Sequence, residues 1–279
     1  MISGGDMFIS LAHNIQIKNT NITKSWAKKG SFILAEDLTN ANALFQNIQI
    51  TNIENSVISQ SSVAVLNFGS LQILNSRFQD ISSSLFEFNR MFVKLDEVTI
   101  TGMTCESNEA CLIKGSSLDL KLSNSEISDI ISNGHLMTFS FSPKIWMQNL
   151  HLFDTEKSDT QGSIQKLYAF YGTNVQNIII EGSDFRRLGF SHLYAKQSDV
   201  TIIQSIFSNQ RRERFLAPLS IESITDFVYL DESNSLLKNS SFFGHDGLEN
   251  EIKRSVNFFL KIICKRYLGN YNQWSKWYS

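Results

Sequence analysis

The amino-acid sequence predicts an all-β protein: a right-handed parallel β-helix of about nine coils, followed by a C-terminal amphipathic α-helix. Three observations lead there. A short segment recurs nine times along the chain, apolar and polar positions alternate within it, and one of its columns is dominated by asparagine.

The recurrence is clearest with Leu71-Gln72-Ile73-Leu74-Asn75-Ser76-Arg77-Phe78 as template. Similar segments end at Ile22, Ile50, Ile100, Ile127, Leu152, Phe185, Phe207 and Phe242. Five residues before these anchors stand Ile17, Phe45, Ile73, Leu95, Leu122, Met147, Ile180, Ile202 and Leu237, all apolar. Seven before, the column runs from Ile15 and Ala43 to Val200 and fails once, at Ser235. The intervening column, from Lys18 and Gln46 to Lys238, is mostly polar. Period-2 alternation of this kind marks a strand with one buried face.

Three before the anchors the residues are Asn19, Asn47, Asn75, Glu97, Asn124, Asn149, Gly182, Gln204 and Asn239. Asparagine tolerates the left-handed backbone of a sharp bend, and stacked amides can hydrogen-bond from coil to coil. The next column adds Thr20, Ser76, Ser125, Ser183, Ser205 and Ser240. Anchor spacings are 28, 28, 22, 27, 25, 33, 22 and 35 residues. Surplus residues can leave a β-helix as loops without disturbing the stack, whereas leucine-rich and helical repeats keep stricter periods. The competing antiparallel sandwich needs a turn signal about every 8–12 residues.

The step Asn75-Ser76-Arg77-Phe78, echoed in Asn124-Ser125-Glu126-Ile127 and Asn239-Ser240-Ser241-Phe242, resembles the repeat of pectin lyase-like β-helix proteins. The opening Gly4-Gly5-Asp6-Met7-Phe8-Ile9 is similar to a step found in surface-exposed β-helix repeats. The Asn/Ser/Ile bias further resembles large, poorly characterised surface proteins of ciliates. This resemblance spans roughly residues 4–243. It implies a solenoid at the cell surface and specifies no activity.

The division expected is a β-helix over residues 1–245, N-terminally incomplete, and a C-terminal helix with an aromatic tail over 246–279. Strand-like Met7 to Ile9 begins almost at once, with no cap over the first coil. Leu248, Ile252, Val256, Phe259, Leu260, Ile263 and Tyr267 recur at helical spacing, with Asp246 and Glu249 as a capping pair and Gly269 as a stop. Such a helix would cap the last coil or, given its basic face, Trp274 and Trp277, lie on a membrane surface. No transmembrane segment is expected, because the apolar run 258–264 is broken by Lys261.

Composition narrows the function classes. Lys plus Arg number 25 against 27 Asp plus Glu, so nothing attracts nucleic acid. Cys105 and Cys111 are either a local disulfide or two loop thiols, and Cys264 stands alone. The five histidines lack metal-binding spacing, so neither a metal nor any other cofactor is expected. Two weak sites remain. Asp80, Asp129 and Asp154 lie two residues after their anchors, which brings carboxylates onto one corner as a glycosidase requires, although Asp is also a routine turn residue. Arg186, Arg187, Arg211, Arg212 and Arg214 follow consecutive anchors and would suit an oxyanion, or pair with Asp184 and Glu213. The leading function is therefore a non-catalytic structural or adhesive segment of a longer extracellular or cell-surface chain. Its expected partners are acidic glycans or other surface proteins. The alternative is a carbohydrate-active enzyme, lyase or glycoside hydrolase, or a glycan-binding module.

Overall fold

The computed structural model of the chain describes residues 7–10, 14–23, 33–36, 42–54, 62–106, 108, 110–158, 167–208, 228–243 and 258–263. Its described strands form one sheet, and every pairing is parallel. Each anchor is the Cα partner of the next: Ile22 with Ile50, Ile50 with Phe78, and so on through Ile100, Ile127, Leu152, Phe185, Phe207 and Phe242. The column from Ile17 to Leu237 keeps the same register and is buried throughout. The chain is thus a parallel β solenoid, wound so that a given side chain packs on its counterparts in the coils before and after.

Alternation decides which face each residue takes. Leu71, Ile73 and Phe78 point into the core, while Gln72, Asn75 and Arg77 between them are exposed. Ser235, where the apolar column fails, carries a buried hydroxyl with no hydrogen-bond partner among the described residues. Phenylalanines stack along the interior: Phe185 and Phe207 lie 4.8 Å apart, and Phe78 meets Phe86 edge-on at 5.2 Å.

Three corners turn the chain, and each is a column of left-handed residues. All nine members of the asparagine column have positive φ, from 46° at Asn75 to 58° at Gly182. A second column follows five residues later, at Asn52, Asp80, Gly102, Asp129, Asp154 and Arg187. The third, Phe68, Arg90, Ser117, Phe141, Asn174, Gln197 and Glu232, has no chemical signature. A non-glycine residue there costs about 1–2 kcal/mol, which the stacking at each corner must offset.

At the asparagine corner it is offset by side-chain ladders. Asn47 Nδ2 donates to Asn19 Oδ1 at 2.9 Å, Asn75 to Asn47 at 3.0 Å, and Asn149 to Asn124 at 3.0 Å. Where Glu97 interrupts the column, Asn124 donates to Asp96 instead. The following serines clamp the bend. Ser125 Oγ donates to the Ser123 carbonyl across the turn and accepts the Val98 N–H of the preceding coil. Ser76, Ser183, Ser205 and Ser240 do the same. Ser142, Ser198 and Ser233 repeat it at the third corner.

The C-terminal helix expectation needs correction over residues 258–263. Phe258–Ile263 is a strand, parallel to Asn234–Phe243, with Leu260 opposite Leu237. An apolar run this short fits a strand as well as a helical face, and aromatic and β-branched residues favour the strand. The remainder of 246–279 lies outside the described residues.

Candidate functional site

The second corner holds the carboxylates that the sequence offered for catalysis. Asp80, Asp129 and Asp154 are three of its left-handed residues, at φ 52–55°, and each is engaged locally. Asp80 accepts from Gln79 at 3.0 Å, and Asp129 from Thr101 and Ser128 at 3.2 and 3.0 Å. Asp154 receives Arg187 through a bidentate contact, Nε to Oδ1 at 2.5 Å and Nη2 to Oδ2 at 2.7 Å. Gly102 fills the same column between Asp80 and Asp129, where a Cβ would stand 2.5 Å from Asp80 Oδ1. The column therefore reads as turn chemistry, with no free acid and base facing a common space.

The arginine corner divides likewise. Arg187 occupies the column position above Asp154, and its hydrogen bonds to that carboxylate raise the guanidinium above its ordinary range against a smaller opposing effect of burial. Arg186 is exposed and pairs with Asp184, Nε to Oδ1 at 2.7 Å. Arg211, Arg212 and Arg214, with Glu213, lie outside the described residues. A similar neutralised cluster lies one face away. Burial pushes the Asp96 carboxyl up, but hydrogen bonds from Lys94, Ser123 and Asn124 outweigh it and leave the group below the usual carboxylate range.

A concave feature among the described residues lies elsewhere, on the outer side of the strands that precede the third corner. A trough of about 450 Å³ runs across five successive strands, from Ser62–Ser82 to Tyr168–Thr173. Two outward rows line it. Asn67, Asn89, Ser116, Ser140 and Thr173 are Cα partners in turn, as are Glu87, Lys114, Thr138 and Tyr171. Among the described residues, the side chains of Asn67, Asn89, Ser116, Thr138, Ser140 and Thr173 have no hydrogen-bond partner, unlike the corner serines and asparagines.

An aromatic stack closes one end. His135 lies flat on Tyr171 with centroids 4.5 Å apart, Tyr171 on Tyr194 at 4.6 Å, and Tyr194 on Tyr229 at 5.4 Å. Burial and the neighbouring Tyr171 push the Tyr194 phenol up. The Tyr168 N–H donates to His135 Nδ1 at 3.0 Å, so the neutral ring carries its proton on Nε2. Burial lowers the His135 pKa. His192 belongs to the core instead, edge-on to Phe207, and burial lowers its pKa to about 3.

Sequence reasoning missed the trough. Its inner row stands eleven or twelve residues before the anchors, a polar column that was there to be found. Cys105 and Cys111, left open by the sequence, form a buried disulfide with Cα atoms 5.7 Å apart. Among the described residues no cluster of three potential metal ligands occurs, and no helix is long and apolar enough to cross a membrane.

No protein-family model matches the chain, nor does any curated protein or any solved structure. What stands of the resemblance to pectin lyase-like repeats is the parallel β solenoid itself.

Proposed function

We propose that the chain is a non-catalytic structural or adhesive segment of an extracellular surface protein, a right-handed β-helix of about nine coils. The observation that carries this reading is the state of the carboxylates. Asp80, Asp129 and Asp154 all sit at the left-handed bend of the second corner, Asp80 and Asp129 hydrogen-bonded to neighbouring side chains and Asp154 paired with Arg187. Right-handedness follows from the rule for parallel crossovers, and the stacked anchors support the coil number. A buried disulfide suits an oxidising compartment. Acidic glycans or other surface proteins remain the expected partners, by way of the arginine corner or the solenoid's long sides. The glycan-binding alternative draws its support from the trough.

Incubation with pectin, polygalacturonate and neutral polysaccharides, monitored by reducing ends and by absorbance of unsaturated products, should show no turnover. Turnover that vanishes in Asp129→Asn would overturn the non-catalytic reading.

A further inference from the structure

We infer that Tyr171, Tyr194 and Tyr229 form an oxidative cross-linking site, where a haem peroxidase acting with hydrogen peroxide joins two neighbouring rings into dityrosine and ties successive coils covalently. The cross-link goes beyond the structural reading above, and neither depends on the other.

Register brings the three phenols together. The outer row of Glu87, Lys114 and Thr138 continues as three tyrosines on the successive strands Tyr168–Thr173, Ser191–Lys196 and Val228–Asp231. Tyr171 is the Cα partner of Tyr194, and Tyr194 of Tyr229. Their rings lie face to face, 4.6 Å and 5.4 Å apart and within 7° and 6° of parallel. Tyr194 therefore has a phenol on each side. Burial and then the charge of Tyr171, with smaller effects of Asp231 and Tyr229, push its phenol up against an opposing Lys196, so these groups sense one another directly. All three side chains are half-buried on paired strands, anchored by the backbone with one face of the row open to solvent.

Oxidation turns that proximity into a bond. Each of two tyrosines loses one electron and its hydroxyl proton, leaving a phenoxyl radical with spin on the ring carbons beside the oxygen. Two such carbons form one C–C bond, and the hydrogen on each then returns to its oxygen. In balance, two C–H bonds are replaced by one C–C bond, and the two electrons and two protons reduce one hydrogen peroxide to two waters. Neighbours held in place react as if at high local concentration. Their Cβ atoms are one coil step apart, ~4.8 Å, a gap of the order that a biaryl spans when both chain attachments lie on the same side of the new bond. No thiol competes for the radical among the described residues, because Cys105 and Cys111 are already joined. Tyr168 serves as an internal control. It is buried, and its ring is tilted by 47° to Tyr171 and 51° to Tyr194.

The full chain, dilute, is treated with a haem peroxidase and hydrogen peroxide. A monomer lighter by two hydrogen atoms and fluorescent as dityrosine should form, at a rate per molecule unchanged by tenfold dilution. Trypsin separates Tyr171, in residues 167–186, from Tyr194, in 188–196, and Tyr229, in 215–238. The linked peptides should join 188–196 to one of the other two. Tyr194→Phe keeps the ring but removes the central phenol and leaves Tyr171 and Tyr229 two coil steps apart, ~9.6 Å. It should cut the cross-linked monomer at least tenfold, whereas Tyr168→Phe should leave the yield unchanged. Should Tyr194→Phe fail to fold, the linked peptides of the parent decide alone. No dityrosine, dityrosine only between molecules or only through Tyr267, Tyr271 or Tyr278, or an undiminished yield in Tyr194→Phe overturns the inference. Polysaccharide turnover would sink the non-catalytic reading and leave the cross-link standing. Absent turnover with absent dityrosine does the reverse.

Discussion

Asparagine and serine serve two opposite purposes in this molecule, at the asparagine corner and in the trough. At the corner Asn75 is left-handed and its amide is tied to Asn47, while Ser76 is buried and holds two backbone groups. In the trough Asn89 and Ser116 sit on extended strands and touch no partner among the described residues. The residue types are the same, and the backbone decides. A bend closes the side chain onto its own chain, whereas a strand aims it at solvent. Polar groups spent on the fold cannot bind, and those left over by the fold can.

That contrast can be broken by measurement. Its baseline is the core: Leu122, buried in the stacked apolar column, should cost about 2–5 kcal/mol when changed to Ala in chemical denaturation. If Ser140→Ala, in the trough, costs as much, the division between structural and free positions is wrong.

Two described histidines that pack against aromatic rings sharpen it through pH. His192 has a folded pKa of about 3 because it is buried, well below its unfolded value near 6.5. Below pH 6.5 the unfolded chain takes up a proton that the folded chain refuses, so stability is full above 6.5 and is lost by about 1.4 kcal/mol per pH unit toward pH 3. His135, at the trough rim, is shifted in the same direction by lesser burial. Denaturation from pH 7 to 4 should show this slope in the parent and a shallower one in His192→Phe. An unaltered slope would place the acid sensitivity elsewhere.

Asn75→Ala should cost about 1–3 kcal/mol, combining a left-handed alanine with a lost amide rung, while Asn89→Ala stays within about 0.5 kcal/mol. Equal losses would erase the distinction between corner and trough. A small gain is expected at Gly182, which interrupts the asparagine column at φ 58° and where a Cβ would stand 2.7 Å from Asn149 Oδ1, which must shift to admit it. Gly182→Asn should restore that rung and stabilise by about 0.5 kcal/mol, since Asn accepts this backbone and the unfolded chain loses freedom. A loss of stability would mean that Asn149 has no room to give.

The legible part of the fold was the part where backbone demand selects residue chemistry. Every position of the asparagine column is left-handed, including Glu97 and Gln204, because anchor spacing placed them correctly whatever their identity. The third corner escaped notice because Phe68, Arg90 and Phe141 are held left-handed by their neighbours, with no shared side-chain type to betray them. Phe258–Ile263 was misread because Phe259, Leu260 and Ile263 fit the helical spacing drawn over 248–267, while the apolar run they belong to is equally a strand. Of the candidate sites, the aspartates were seen as a column and as turn residues, and the φ values put them at a bend. The trough needed pairing register, because its row slips from eleven to twelve residues before the anchors.

The asparagine ladder also has a direction. In Asn19–Asn47–Asn75 and again in Asp96–Asn124–Asn149, each amide points its N–H toward the preceding coil and its oxygen toward the next. Each such group carries a dipole comparable to that of a peptide unit, ~3.5 D. Aligned head to tail, they polarise the corner along the solenoid axis, positive toward the earlier coils and negative toward the later ones. Flipping one amide in the middle of a run would break two bonds at once, so the orientation is shared by the whole run and set by none of its members alone.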